Sequence, residues 1–341
     1  TGIIFSIGEM IGVGSAIRYA ISKIKKDADA DDYFWNALIW CIMSSMIFVF
    51  AGIFFSSDIM RVLGADEHIV AVGNNYTKIF MCFAPMFMCN YVTNAFVRND
   101  GAPGIAMSAT LFSSLFNIVF DYILMFPMNL GMEGAALATA LSPIIGMGIC
   151  SIHFFSKKSS VRLVVCKPSV RKLVAGCQLG VSAFVGEMSS AVITLAFNFV
   201  ILKLTGNVGV AAYGVVANIA IVTTAVFNGV AQGSQPLISS CFGRGDKDGC
   251  TQLKRMGYTT AFVLAAVMYS ILFIFAEQFV AVFNSEGSEI LRLYATEGVK
   301  LYFIGIFFAG INIVGGGAFS ATEDAFKAVS YTHLTLPTKL E

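Results

Sequence analysis

Asp121 is a lone carboxylate inside an apolar stretch, FSSLFNIVFDYILMF from Phe112 to Phe126. Asn117 precedes it by four residues, so in a helix both side chains leave one face a turn apart. After the turn 127–134 a second apolar segment begins at Ala135 and carries Thr139, close enough to the turn to come alongside the first. A carboxylate, an amide and a hydroxyl offer hard oxygens that suit either a proton or Na+. Asp at the centre of a bilayer costs about 2.5 to 3.5 kcal/mol, so Asp121 is expected to face a bundle interior or a wet cavity and to act there. The competing reading is an Asp that only hydrogen-bonds a neighbouring helix.

The segments that must position these residues are set by composition. The chain is 57% hydrophobic with mean hydropathy +0.76 and only 13% charged residues, which excludes a soluble domain of 341 residues. An all-α polytopic membrane protein is expected. Nine apolar runs reach the roughly 20 residues that span a bilayer. They cover Gly2–Ile21, Trp35–Phe55, Val70–Val97, Ile105–Phe126, Ala135–Phe155, Leu173–Leu204, Val210–Phe242, Tyr258–Phe275 and Leu293–Phe319. Transmembrane strands would be shorter and would alternate in and out, and these runs are apolar on all sides.

Charge sets the orientation. Sixteen Lys and Arg flank connectors on one side, among them Lys23, Lys25, Lys26, Arg98, Lys157, Lys158, Arg162, Lys167 and Lys327. Five lie on the other, Arg61, Lys78, Lys203, Arg292 and Lys300, mixed with Asp58, Asp66, Glu67, Glu277, Glu286 and Glu289. The richer side is expected to be cytoplasmic. A net charge of +1 provides no basic surface for nucleic acid. The eight cysteines contain no C-x-x-C pair and read as small apolar residues.

The chain also resembles itself. GVGSAIRYAISKIKKDADAD from Gly12 aligns with GVAQGSQPLISSCFGRGDKD from Gly229, FFSSDIMRVLGADEHIV from Phe54 with IFAEQFVAVFNSEGSEI from Ile274, and NAFVRNDGAP with GAFSATEDAF. The offset stays near 217 to 223. Two halves in the same order and orientation imply parallel-repeat lobes around a central cavity. The expected organisation is an N-terminal lobe over 1–156, a cytoplasmic linker over 157–172 and a C-terminal lobe over 173–328. Matching the halves implies one further helix before Thr1 and two after Phe319. Residues 329–341, VSYTHLTLPTKLE after Ala328, lack apolar period and resemble a translated library adaptor.

These motifs carry a family resemblance. N-x-x-x-D at Asn117 and Asp121, GMEGAALATALS at Gly131–Ser142, FVRNDGAP at Phe96–Pro103, AAYGVVANI and GVAQGSQPLISSCFGRGD resemble the multidrug and toxic compound extrusion (MATE) family over nearly all of Thr1–Ala328. The resemblance implies a two-lobe antiporter of twelve helices, about nine of them in this chain, that expels bulky, often cationic organic compounds against inward H+ or Na+. It also implies that Asn117, Asp121 and Thr139 form the N-lobe cation site, together with a first-helix Asp that this chain does not contain. The implied setting is the cell membrane, multi-pass, in a bacterial inner membrane, with small organic substrates and the lipid bilayer as partners, no cofactor and a monomeric state.

In the second lobe the candidate is Glu187, in the apolar run GVSAFVGEMSSAVITLAFNFV, with a structural hydrogen bond as the alternative. Asn198 and Asn218 are candidates for lining a substrate cavity, against a role as interhelical hydrogen-bond partners. Glu9 on the first helix is placed near the outer interface. Enzymatic readings fail on inventory: the three His (His68, His153, His333) form no H-E-x-x-H, and no Gly-rich phosphate loop or Ser-His-Asp set can be assembled. The rival within membrane proteins is a flippase for lipid-linked precursors in a related superfamily, for which cationic side chains inside the cavity are expected and acidic ones are found.

Overall fold

The protein was analysed as a computed structural model, which describes residues 2–62, 67–284 and 287–324. Asp66, Glu286, Lys327, His333 and the segment 329–341 lie outside the described residues. The described elements are helical. They are α1 (Gly2–Ile24), α2 (Asp32–Val62), α3 (Glu67–Cys82), α4 (Ala84–Asn99), α5 (Pro103–Met125), α6 (Gly131–Phe154), α7 (Val170–Gly243), α8 (Lys247–Ile274), α9 (Ala276–Phe283), α10 (Glu289–Tyr302) and α11 (Ile306–Ser320). Among the described residues eight helices are long and apolar enough to cross a bilayer. The bent pair Val70–Cys82 and Ala84–Asn99 passes the same test when its two halves are taken together, which brings the count to nine.

One of the expected runs differs in detail. The run from Val70 is broken between α3 and α4 by 45°, where Pro85 sits in the first turn of α4 and removes a donor from the continuing ladder. The long α7 is two spans, Val170–Gly206 and Val208–Gly243, in agreement with the separate runs ending at Leu204 and beginning at Val210. It is divided where Gly206 adopts φ 68° and ψ −157°, a conformation open to glycine and costly for other residues. Elsewhere helix starts follow local chemistry. Pro103 opens α5, and Asp246 caps α8 by accepting from the Gly249 amide at 2.8 Å.

The chain forms two compact units, one over Thr1–Phe184 and one from Val185 on. In the first, an aromatic cluster holds α1, α2, α4 and α6 together. Phe96 contacts Tyr19 and Phe34 with ring centroids 5.4 and 5.0 Å apart, and Phe34 contacts Phe154 at 4.8 Å. In the second, Phe227, Ala261, Ala265, Ala295, Val299 and Phe303 form the buried core. The small residues on α8 and α10 let backbones approach closely, as membrane helices require where apolar burial supplies no drive.

Helix α5 has the two-sided character on which the site depends. Phe112, Leu115, Ile118, Val119 and Tyr122 are exposed, and only 11% of its apolar window is buried within the protein. One stripe of this helix meets lipid. The opposite stripe carries Thr110, Ser113, Asn117 and Asp121 at intervals of three and four; Thr110 is bonded from α4, and Ser113 and Asn117 bond to α6.

Candidate cation site

The hairpin of α5 and α6 builds the site. Gly134, in the first turn of α6, lies so close to α5 that a Cβ there would come within 2.7 Å of the Leu124 carbonyl carbon. That approach brings Thr139 opposite Asn117, whose Nδ2 donates to Thr139 Oγ1 at 3.3 Å. One turn earlier, Ser113 Oγ donates to the Ser142 carbonyl at 2.6 Å. Asp121 follows Asn117 by one turn. Its Oδ1 is closed off from solvent and accepts no hydrogen bond.

The structure thus brings Asn117 and Thr139 into contact, with Asp121 a turn along the same stripe. A buried carboxylate oxygen without a donor is costly while charged, and a bound proton or a hard cation would satisfy it. The donor set of carboxylate, amide oxygen and hydroxyl fits such a cation. Among the described residues no group of three or more His, Cys, Asp and Glu is arranged for a multivalent metal.

Several polar residues of the same interior were missed from sequence. Asn94 Nδ2 on α4 donates to the Ala106 carbonyl at 3.1 Å and to Thr110 Oγ1 at 3.2 Å. Asn90 Oδ1 is buried without a partner, and a Cβ on Gly146 would stand 2.8 Å from it. The signal for Thr110 and Ser113 was available, because both lie at helical spacing from Asn117. Asn90 and Asn94 sit on another helix, and only packing assigns them to this interior.

Glu187 belongs to the second unit, on an exposed part of α7. Asn198 is half-buried beside Phe197, whose ring stacks on Tyr213 at 5.3 Å. Asn218 is exposed and donates to the Gly214 carbonyl of its own helix at 2.9 Å, so this bond does not join two helices. Glu9 is half-buried within α1 and its charge reaches that of Arg98. Arg98 itself, which flanks the α4–α5 connector as expected, is buried in the last turn of α4 at 9% exposure.

A second polar cluster closes this end of the first unit. Asp100, in the α4–α5 turn, accepts from Tyr19 Oη at 3.1 Å, from His153 Nε2 at 2.8 Å, from Ser159 Oγ at 3.2 Å, and from both the amide (2.9 Å) and the hydroxyl of Ser160. The Asp100 and His153 side chains are 2% and 4% exposed. Burial pushes the Asp100 carboxyl up, but the bonds from Ser160, His153 and Tyr19 outweigh it and hold the group below its ordinary value.

Comparison with known proteins fits this architecture. The sequence model of the MatE family matches residues 1–123 and 183–337. The chain is 26% identical over 323 residues to the multidrug export protein MepA of Staphylococcus saprophyticus, covering 94% of this chain and 71% of that protein. It is 28% identical over 298 residues to MepA of Staphylococcus aureus strain MRSA252, spanning 86% of this chain and 63% of that relative's length. Among solved structures, the outward-facing conformation of a multidrug resistance MATE family transporter of the MOP superfamily superposes with TM-score 0.89 at 20% identity, over 99% of this chain and 75% of that one. A MATE in complex with MaL6 superposes with TM-score 0.90 at 20% identity, over 98% and 76%. At such identity these two structures speak to the fold alone.

Proposed function

We propose, from the premise that this chain belongs to the multidrug and toxic compound extrusion (MatE) family, that it serves in export of organic compounds across the cell membrane by cation-coupled alternating access. The observation that carries the reading is the Asp121 carboxylate, with one oxygen buried and unpartnered beside the Asn117–Thr139 contact. The coupling cation is H+ or Na+. Entering from outside, it neutralises Asp121 and favours the arrangement of α5 and α6 that releases substrate, and its loss to the inside resets the lobe. Coupling requires that the cation bind the two arrangements with different affinity, since a ligand with equal affinity shifts nothing. Asn117 and Thr139 supply that difference if their contact opens in one arrangement and closes in the other.

Relatives of this chain are named multidrug export proteins, which supports bulky organic compounds as the substrate class. The half-buried Asn198, beside the Phe197–Tyr213 stack, and the exposed Asn218 are the cavity candidates of the second unit, with Glu187 as its acidic candidate. The protein is proposed to work as a monomer.

The test is dye efflux from vesicles made from cells that express the gene encoding this chain, with a pH gradient or a Na+ gradient imposed separately. Efflux driven by either gradient supports the proposal and names the cation. Efflux that requires ATP and ignores both gradients contradicts it.

A further inference from the structure

The connector between α6 and α7 is non-helical over residues 155–169, yet it is tied down along its length. Asp100 holds Ser159 and Ser160 at its start, and Lys23 Nζ donates to the Ser160 carbonyl at 2.8 Å. Further on, the Arg162 amide donates to Asp31 Oδ1 at 3.4 Å, Cys166 Sγ to the Asp32 carbonyl at 3.7 Å and the Ser169 amide to Asn36 Oδ1 at 2.7 Å. Lys172 pairs with Asp32 just beyond. Each anchor sits at a span end: the end of α1, the start of α2, the turn after α4. The connector therefore lies flat at the level where the hydrocarbon stops.

This tethering uses Asp31, Asp32 and Asp100 on the inner side of the connector. On its outer side Lys157, Lys158, Arg162 and Lys167 are exposed, as is Arg171 in the first turn of α7, and no ion pair engages any of these five among the described residues. In the first unit the α1–α2 turn exposes Asp27 and Asp29 together with Lys25 and Lys26, and Asp29 lies 3.6 Å from Lys172. Between the cations run Leu163, Val164 and Val165, which are 54%, 40% and 77% exposed. Alternating cations and exposed apolar side chains at a span boundary have the composition of a membrane-surface segment. Topological charge bias explains why the cations lie on this side, but it places no demand on the backbone.

We propose that the connector 157–171 is a docking surface for anionic phospholipid headgroups of the leaflet on this side. Lys157, Lys158, Arg162, Lys167 and Arg171 bind the phosphates while Leu163, Val164 and Val165 enter the headgroup boundary. The charges lie within a screening length, about 8 Å at physiological salt, of a headgroup layer at the span ends. A phosphate free in solution offers the same charge but no apolar boundary for the three aliphatic residues.

The chain's two tryptophans, Trp35 and Trp40, lie on α2 either side of Asn36, the residue that anchors Ser169, and report on lipid at this spot. The experiment reconstitutes the purified chain in mixed phosphatidylcholine and phosphatidylglycerol vesicles, with bromine on one lipid at a time, and reads tryptophan quenching. The expected result is quenching by brominated phosphatidylglycerol in excess of its mole fraction. That excess is lost in high salt and in a K157Q/K158Q/R162Q/K167Q variant, and kept in Arg292→Gln at the other side. Quenching in proportion to mole fraction in the unmodified protein overturns the proposal, as does an excess that survives high salt or the fourfold variant. Loss of the excess on adding free glycerol phosphate at matched ionic strength would assign the surface to soluble phosphates and also overturn it.

Discussion

Asn117 Nδ2 and Thr139 Oγ1 stand 3.3 Å apart across the α5–α6 hairpin, and this contact is the side-chain hydrogen bond joining the two helices beside Asp121. Thr139→Val removes the acceptor and keeps the shape. The net value of such a bond is about 0.5 to 1.5 kcal/mol, so the variant is expected to lose that much stability and to retain reduced export. Denaturant unfolding in detergent and dye efflux check the two halves of the statement.

The hairpin depends on its closest backbone approach. Gly134→Ala would place a methyl group 2.7 Å from the Leu124 carbonyl carbon, with backbone rather than a flexible side chain in the way. Overpacking of this kind costs about 1 to 3 kcal/mol. Gly148 in the same helix has nothing within 4 Å of a Cβ, so Gly148→Ala should be neutral or slightly stabilising. Melting temperatures of the two variants should therefore move in opposite directions or differ clearly.

The Asp100 cluster predicts a pH dependence for the connector. A carboxylate held below its ordinary value contributes stability that is fully present above the unfolded-state pKa, near 3.9, and is lost as pH falls through the folded-state value. Amide exchange at 159–162, corrected for intrinsic rates, should stay protected at neutral pH and rise only as pH falls below the ordinary carboxylate range. Asp100→Asn should raise it at neutral pH, because the amide carries no charge and keeps one acceptor oxygen where the carboxylate offered two oxygens to five donors.

Orientation gives another outcome. A cysteine-reactive or epitope tag in the 157–172 connector should be reached only from the cytoplasm, and one at Glu289, the first residue of α10, only from outside. Finding both on one side would overturn the number of crossings between them.

Much of this was legible in the sequence because membrane helices advertise themselves by length and apolarity. All nine runs correspond to helices long and apolar enough to span, counting the bent α3–α4 pair as one. Asp121, Asn117 and Thr139 could be grouped because helical period and a short turn confine them to one hairpin. The break at Pro85 was not read, since it lies in a run whose hydropathy continues across it, whereas the break at Gly206 falls in the gap between the runs ending at Leu204 and beginning at Val210. Asn90, Asn94 and the web around Asp100 join residues from separate helices, and periodicity within one segment carries no information about such partners. The burial of Arg98 at the end of α4 was not legible for a related reason, because it depends on packing against other segments.

The account rests most directly on Asp121, and gradient-driven dye efflux by Asp121→Asn is the measurement that decides it. The amide keeps size and hydrogen bonding but cannot exchange a proton or offer a full charge to a cation. The expected result is loss of export driven by either gradient, with the protein inserted at its normal level and Glu187→Gln assayed alongside. Export by Asp121→Asn at the unmodified rate, with Glu187→Gln inactive, would contradict the account and move coupling to the second unit.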